Sequence, residues 1–150
     1  PERCGLAYAG EDVHMHRPVM TPRARLGSIE RFIGVITGHY ACAFPTWLSP
    51  VQVKVIPISE KVADYAKQVT EKLDAAGVRV ENDLRPEKMG YKIREAQLPK
   101  IPYMLVVGEK EAQAGTVSVR TRNGEDHGAM ALDEFTAHIQ KEIKERTNCL

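Results

Sequence analysis

VQVKVIPIS at 51–59, GVRVENDL at 77–84, RPEKMGYKIREAQLPK at 85–100 and IPYMLVVG at 101–108 decide how the chain folds. Three short apolar runs alternate with two charged stretches of helical period, the pattern by which a chain builds a βαβαβ layer. The valines at 51, 53 and 55 read as one face of a central strand whose only charge is Lys54, closed by Pro57. Ser59 is a candidate helix cap. Val62, Tyr65, Ala66, Val69 and Leu73 then recur at helical spacing until Gly77, which suits the position just past a helix end. Val78–Val80 reads as a second strand running into an Asn82–Asp83 turn, and Glu87–Leu98 as a second helix with Met89, Ile93 and Ala96–Gln97 near its buried side. Tyr103–Val107 is strongly apolar and strand-like.

Beyond Gly108 a polar turn leads to Gly115–Thr121, where Val117 and Val119 alternate with Ser118 and Arg120, the period of a half-exposed strand. Asn123-Gly124 is a hairpin signal. Leu132, Phe135, Ile139 and Ile143 mark a last helix, with Asp133 and Glu134 at its positive end and an ordinary solvated exit. From Pro50 onward the pattern makes four or five strands and three helices, an α/β arrangement with enough apolar residues for a core of its own.

Upstream, LAYAG and HRPVM read as two short strands around the turn-like GEDVHM, too little to be stable without something to pack on. Ser28 can cap a helix carrying Ile29, Phe32, Ile33, Ile36 and Tyr40 on one face. The prolines of ACAFPTWLSP mark a junction, giving residues 1–44 as one piece, 45–50 as a linker and 51–147 as a domain.

Composition bounds the chemistry. The chain has 150 residues, 43% hydrophobic and 27% charged, with no run near the roughly 20 apolar residues of a spanning helix. It opens without Met or a signal-peptide pattern, so a piece of a longer protein is expected. Cys4, Cys42 and Cys149 are few and far apart, which fits a reducing, cytoplasmic setting and suggests neither a disulfide framework nor a metal site. Cys42, inside an apolar stretch, is expected to be a small buried hydrophobe. His14 and His16 supply at most half of a tetrahedral metal set. Net charge is +1, but it is uneven: Arg85–Arg122 holds eight Lys/Arg against four Asp/Glu, and Glu125–Glu145 six Asp/Glu against two Lys/Arg. Arg85, Lys88, Lys92, Arg94 and Arg120, with Tyr91 among them, can position an RNA backbone or can be a solvated face. Lys88 and Lys92, four apart, are expected to share a helix side.

Longer phrases narrow these alternatives. GED at 10–12 with HRPVM at 16–20, LGSIERFIGVI at 26–36, FPTWLSPVQV at 44–53, DLR and GYKIREAQL within 83–98, PYMLVVG at 102–108 and GTVSVRTRNGED at 115–126 follow one another in order. Together they resemble the C-terminal part of bacterial-type threonyl-tRNA synthetases, which are class II aminoacyl-tRNA synthetases. The resemblance implies that residues 1–44 close a catalytic domain, with Ser28 and Arg31 contacting ATP or the adenylate. It implies that residues 51–147 form an anticodon-binding domain, an α/β fold with a mixed sheet of about five strands flanked by three helices, in which Arg94, Glu111 and Arg120 contact the tRNA(Thr) anticodon; Lys88 and Lys92 are weaker candidates on their charge alone. Those three residues should then meet on one exposed face.

Two positions depart from the family pattern. Pro22 stands where a zinc-ligand histidine is expected, and proline offers no donor atom, so no metal site is expected in this chain. Pro86 stands where relatives carry an asparagine that helps read the anticodon. The family's full-length enzyme uses ATP, Mg and Zn and dimerises through its catalytic domain. This chain alone, lacking the first two class motifs, is expected to be inactive and, without the dimerising catalytic domain, monomeric. A non-catalytic, synthetase-like RNA-binding or regulatory protein is the alternative.

Overall fold

The structure is a computed structural model that describes residues 2–25 and 27–147. Pro1, Leu26 and 148–150, including the expected idle thiol of Cys149, lie outside the described residues. The chain divides into two units, Pro1–Val35 and Ile36–Leu150, and the division falls within one helix.

In the first unit, β1 (Tyr8–Ala9) pairs antiparallel with β2 (Met15–His16), Tyr8 facing His16. The second strand therefore begins earlier than HRPVM. The reason lies in the intervening turn: Gly10 N–H donates to His14 O at 2.9 Å, and both Asp12 carboxylate oxygens lie within 2.9 Å of His16 Nε2. Helix α1 spans Ile29–His39 and buries none of its residues. Its apolar stripe is in place, but Ile29 and Ile33 are more than half exposed.

The second unit is built on a sheet of β3 (Val53–Pro57), β4 (Val80–Asn82), β5 (Tyr103–Val107), β6 (Thr116–Thr121) and β7 (Asp126–Ala131). The spatial order is β4-β3-β5-β6-β7, with β3 parallel to β4 and β5, and the β5–β6 and β6–β7 pairs antiparallel. A turn of 3-10 helix at Glu60–Val62 leads into α2 (Ala63–Ala75), while α3 (Met89–Gln97), α4 (Glu109–Ala114) and α5 (Leu132–Glu145) follow later. The alternation of strands and helices follows the hydrophobic periodicity, and the mixed, helix-flanked sheet is the architecture the family resemblance implied.

Burial divides between the two sheet faces. Val53, Val55, Tyr103, Leu105, Val107, Val117 and Val119 pack against Ala66, Val69 and Leu73 of α2 and Leu132, Phe135 and Ile139 of α5. On the other face Ile56, Met104 and Ile101 pack against Ala96 of α3, with Ile93 and Val51 at the margin. Fully burying a side chain of this size contributes about 1.5–3 kcal/mol, so the first layer is the main source of stability. Gly77, at φ +80°, ends α2 in the left-handed conformation that only glycine adopts without strain.

Several local expectations change. Val51 does not share a face with Val53 and Val55, because the strand ladder begins only at Val53. The preceding Gln52 is buried instead, donating to Thr46 O at 2.8 Å and accepting from Arg79 N–H at 2.9 Å. Ser59 makes no side-chain capping bond. Asn82 belongs to β4, and the turn after β5 is helix α4. Cys42 is exposed, since the chain reverses after α1 through Ala41 and Cys42, both at positive φ.

The solvated exit expected of the last helix is interrupted by Glu142. Its carboxylate is buried, accepting hydrogen bonds from the Thr46 hydroxyl at 2.7 Å and the Tyr103 hydroxyl at 2.9 Å. Buried charge persists only when hydrogen-bonded, and this pair of hydroxyls fastens the 45–49 segment, with Pro45, Thr46 and Ser49 buried, onto the sheet unit.

Candidate nucleic-acid interface

Sheet register places the candidate residues. Lys54, Met104 and Arg120 stand opposite one another on adjacent strands, so their side chains leave the same sheet face. Met104 on that face packs with Ala96 of α3, so Arg120 and the exposed Arg94 of α3 lie on one side of the sheet. The Arg94 carbonyl accepts the Leu98 N–H at 3.2 Å, while its guanidinium has no hydrogen-bond or ion-pair partner among the described residues. Arg120 is held: its Nη2 donates to Asp126 Oδ2 at 2.7 Å. A bulge between Val119 and Arg120 brings Asp126 opposite, with Gly128 at φ +76° supplying the bend. The Gly128 N–H, and then Arg120, hold the Asp126 carboxyl below its ordinary range.

Glu111 comes from a different element. It lies in the first turn of α4, at the C-terminal end of β5, where its carboxylate turns back to accept the Gly108 N–H at 3.0 Å. It also stands close enough to Tyr65, on the α2 layer, that burial and then the Glu111 charge push the Tyr65 phenol up. A glutamate at the third helical position is well placed for this capping role, and it lies there because the loop after β5 folds as helix.

Lys92 is not at the surface. The side chain is buried and its ammonium donates to Pro57 O at 3.3 Å and Asp83 O at 3.2 Å, tying the ends of β3 and β4 to α3. Lys88 sits before the first turn of α3 in extended conformation and is exposed, so the two lysines part company rather than share a face.

An ion-pair chain that charge counting missed runs beside them. Arg85 donates from Nε to Asp83 Oδ1 at 2.8 Å and from Nη2 to Asp83 Oδ2 at 2.6 Å, and its Nη2 also reaches Glu95 Oε2 at 2.5 Å. The Tyr91 hydroxyl donates to Glu95 Oε1 at 3.0 Å. The Arg85 hydrogen bonds hold the buried Asp83 carboxyl below its usual range, and Arg85 followed by Tyr91 does the same for Glu95. Paired with Glu95, the Tyr91 phenol is pushed up. Asp83 and Arg85 two apart, and Tyr91 and Glu95 four apart, are the available sequence signal. Arg85 is thereby consumed internally, which lowers the free positive charge of this side.

The residues matched to ATP contact lie in the other unit. Ser28 Oγ accepts the Arg31 N–H at 3.3 Å and donates to Glu30 Oε2 at 2.6 Å, the geometry of a helix cap, while the Arg31 side chain is exposed. The Ser28 hydroxyl holds the Glu30 carboxyl below its ordinary value. Pro22 contributes no ligand atom, and among the described residues no group of three or more His, Cys, Asp or Glu is placed to hold a metal. No helix among the described residues is long and apolar enough to cross a membrane.

A family model described as "Anticodon binding domain" matches residues 52–142, the whole sheet from its first strand into α5. The chain belongs to the anticodon-binding domain family. Among known proteins it is similar to the threonine--tRNA ligase of Clostridium novyi (strain NT), 58% identical over 150 residues, covering 100% of this chain and 24% of that protein. The threonine--tRNA ligase of Syntrophomonas wolfei subsp. wolfei is 58% identical over 146 residues, covering 97% of this chain and 23% of the relative. The chain thus spans about a quarter of the length of the curated relatives it matches. Among solved structures, the RNA binding domain of threonyl-tRNA synthetase from Cryptosporidium parvum Iowa II superposes with a TM-score of 0.72 at 39% identity, over 77% of this chain and 29% of that one. Prolyl-tRNA synthetase from Cryptosporidium parvum gives a TM-score of 0.61 at 28% identity, over 69% and 22%. This fold occurs, then, in solved synthetases named for two different amino acids.

Proposed function

We propose that this chain is the anticodon-binding part of a threonine–tRNA ligase, taking the tRNA(Thr) anticodon stem-loop as its partner. The observation that carries the reading is the match at 58% identity along the whole chain to a protein of that name. The parent would join threonine to tRNA(Thr) through ATP-dependent adenylation, in the cytoplasm, as a dimer held by its catalytic domain. In this reading residues 1–44 close that catalytic domain, 45–50 connect it and 51–147 bind the anticodon. Ser28 and Arg31 would serve ATP in the parent, which would also use magnesium. The 150-residue chain by itself would not aminoacylate.

Within the sheet unit, the exposed Arg94 and the strand-borne Arg120 supply the positive, bidentate-capable groups that phosphate oxygens and base edges accept. Glu111 would contribute a carboxylate acceptor for a base N–H, but only after leaving the Gly108 N–H. Lys88 remains an exposed candidate, and Lys92 serves the fold. A second reading, a synthetase-like RNA-binding protein without ligase activity, is favoured by Pro22, which removes a zinc donor, and by Pro86, which removes a side-chain reader.

Calorimetric titration of a threonine-anticodon stem-loop into the chain tests the reading. Arg94→Gln should weaken binding about tenfold and lower the slope of log affinity against log salt by about 1, as for loss of one phosphate contact. Unchanged affinity and slope in both Arg94→Gln and Arg120→Gln would contradict it.

A further inference from the structure

On the exposed side of α3, Tyr91, Arg94 and Leu98 follow at three- and four-residue spacing, so they are neighbours on one helical stripe. Tyr91 is 49% exposed and Leu98 74% exposed, large apolar surface on either side of a guanidinium that has no partner among the described residues. The stripe begins on the helix that also covers the Arg120 side of the sheet.

Tyr91 is also held. Its hydroxyl donates to Glu95 at 3.0 Å, Glu95 is fixed by Arg85 at 2.5 Å, and Arg85 is anchored on the buried Asp83 through two bonds of 2.8 and 2.6 Å. An exposed tyrosine without such a tether samples several rotamers and loses them on binding. Here the buried carboxylate at the end of β4 restrains the ring through two intervening side chains, so that much of the ordering precedes any ligand.

We propose that Tyr91 is a stacking platform for an unpaired base of the anticodon loop, with Arg94 engaging the adjoining phosphate and the Asp83–Arg85–Glu95 chain acting as positioning residues. Every nucleobase offers a π-face, and an aromatic side chain beside a cationic one is the arrangement by which proteins bind unpaired RNA. The leading alternative use of an exposed apolar stripe, contact with another protein, leaves the unpaired guanidinium at its centre unexplained. The platform rests on the anticodon-binding reading above, and its test separates the two.

The experiment uses the full chain and a threonine-anticodon stem-loop carrying 2-aminopurine at each loop position in turn, read by fluorescence and by affinity. Binding of the native chain should quench one loop position, and Tyr91→Leu should abolish that quench and weaken binding about tenfold, within the range one base–aromatic stack supplies. Tyr91→Phe, which keeps the ring and loses the tether, should retain the quench with only a small loss. An abasic nucleotide at the quenched position should cost the native chain as much as Tyr91→Leu does, with no further loss when the two are combined. Melting curves for each variant report on folding separately. A Tyr91→Leu variant that binds and quenches like the native chain would overturn the platform and leave the anticodon reading intact. Failure of the native chain itself to bind the stem-loop would overturn both.

Discussion

Residues 1–35 and 36–150 carry comparable apolar patterns and treat them in opposite ways. In the first unit Val13 and Val19 are almost wholly exposed, and α1, which runs out of that unit, keeps a well-formed apolar stripe with nothing buried along it. In the second, Phe135, Leu73 and Leu105 are essentially inaccessible between sheet and helices. Periodicity alone is therefore not a core. A stripe becomes one only when an opposing layer exists, as the sheet provides for α2 and α5 and two-residue strands cannot provide for α1.

The largest test of that contrast is a pair of truncations. Phe135→Ala should cost about 3–5 kcal/mol in urea unfolding, because it opens a cavity between α5 and the sheet. Phe32→Ala, on the uncovered helix, should change the same midpoint very little. Equal losses would show that the first unit has a core after all.

Next in size is the buried carboxylate of Glu142. Glu142→Leu removes the carboxylate that the Thr46 and Tyr103 hydroxyls donate to and leaves the buried Thr46 hydroxyl unsatisfied; it should cost about 1–3 kcal/mol, seen as a lower melting temperature. Glu142→Gln keeps one acceptor oxygen and should cost less. If both variants melt like the native chain, the 45–49 segment is not fastened in this way.

A smaller effect is carried by pH. Arg85 lowers the Asp83 carboxyl in the folded state, so its contribution is fully present above the unfolded value of about 3.9 and is lost as pH falls through the lower folded value. Urea midpoints measured from pH 7 downward should therefore fall more steeply below pH 4 for the native chain than for Asp83→Asn. Superimposable profiles would remove the ion-pair chain from the stability of the α3 side. Smallest of all should be Asp126→Asn. The pair with Arg120 is partly exposed, so melting should hardly move, while release of the guanidinium should strengthen stem-loop binding by a small factor.

Much of the sheet unit is legible in the sequence, because apolar runs of period two and stripes of period three to four each meet a partner layer. Tyr103–Val107 reads as a buried strand and is one, and Leu132, Phe135 and Ile139 face inward together as their spacing requires. What spacing cannot carry is the destination of polar side chains. Lys92 looks like a surface cation until the carbonyls of Pro57 and Asp83 meet it, and Glu142 looks solvated until Thr46 arrives from 96 residues away. Glu111 appears as a turn residue because six residues of helix give little periodic signal. Strand β7 escapes for a similar reason: DHGAMA has neither β-branched residues nor clean alternation, and it pairs because β6 offers it an edge.

Arg94 and Arg120 reach one side of the sheet by different routes, one from a helix and one from a strand, and the account depends on RNA being what they meet there. The most direct measurement compares the affinity of the chain for a stem-loop bearing the threonine anticodon with that for the same stem-loop whose anticodon bases are permuted, at fixed salt. The account predicts at least tenfold tighter binding of the first, in line with the roughly 1–3 kcal/mol that one bidentate base contact discriminates. Equal affinity for both would contradict it.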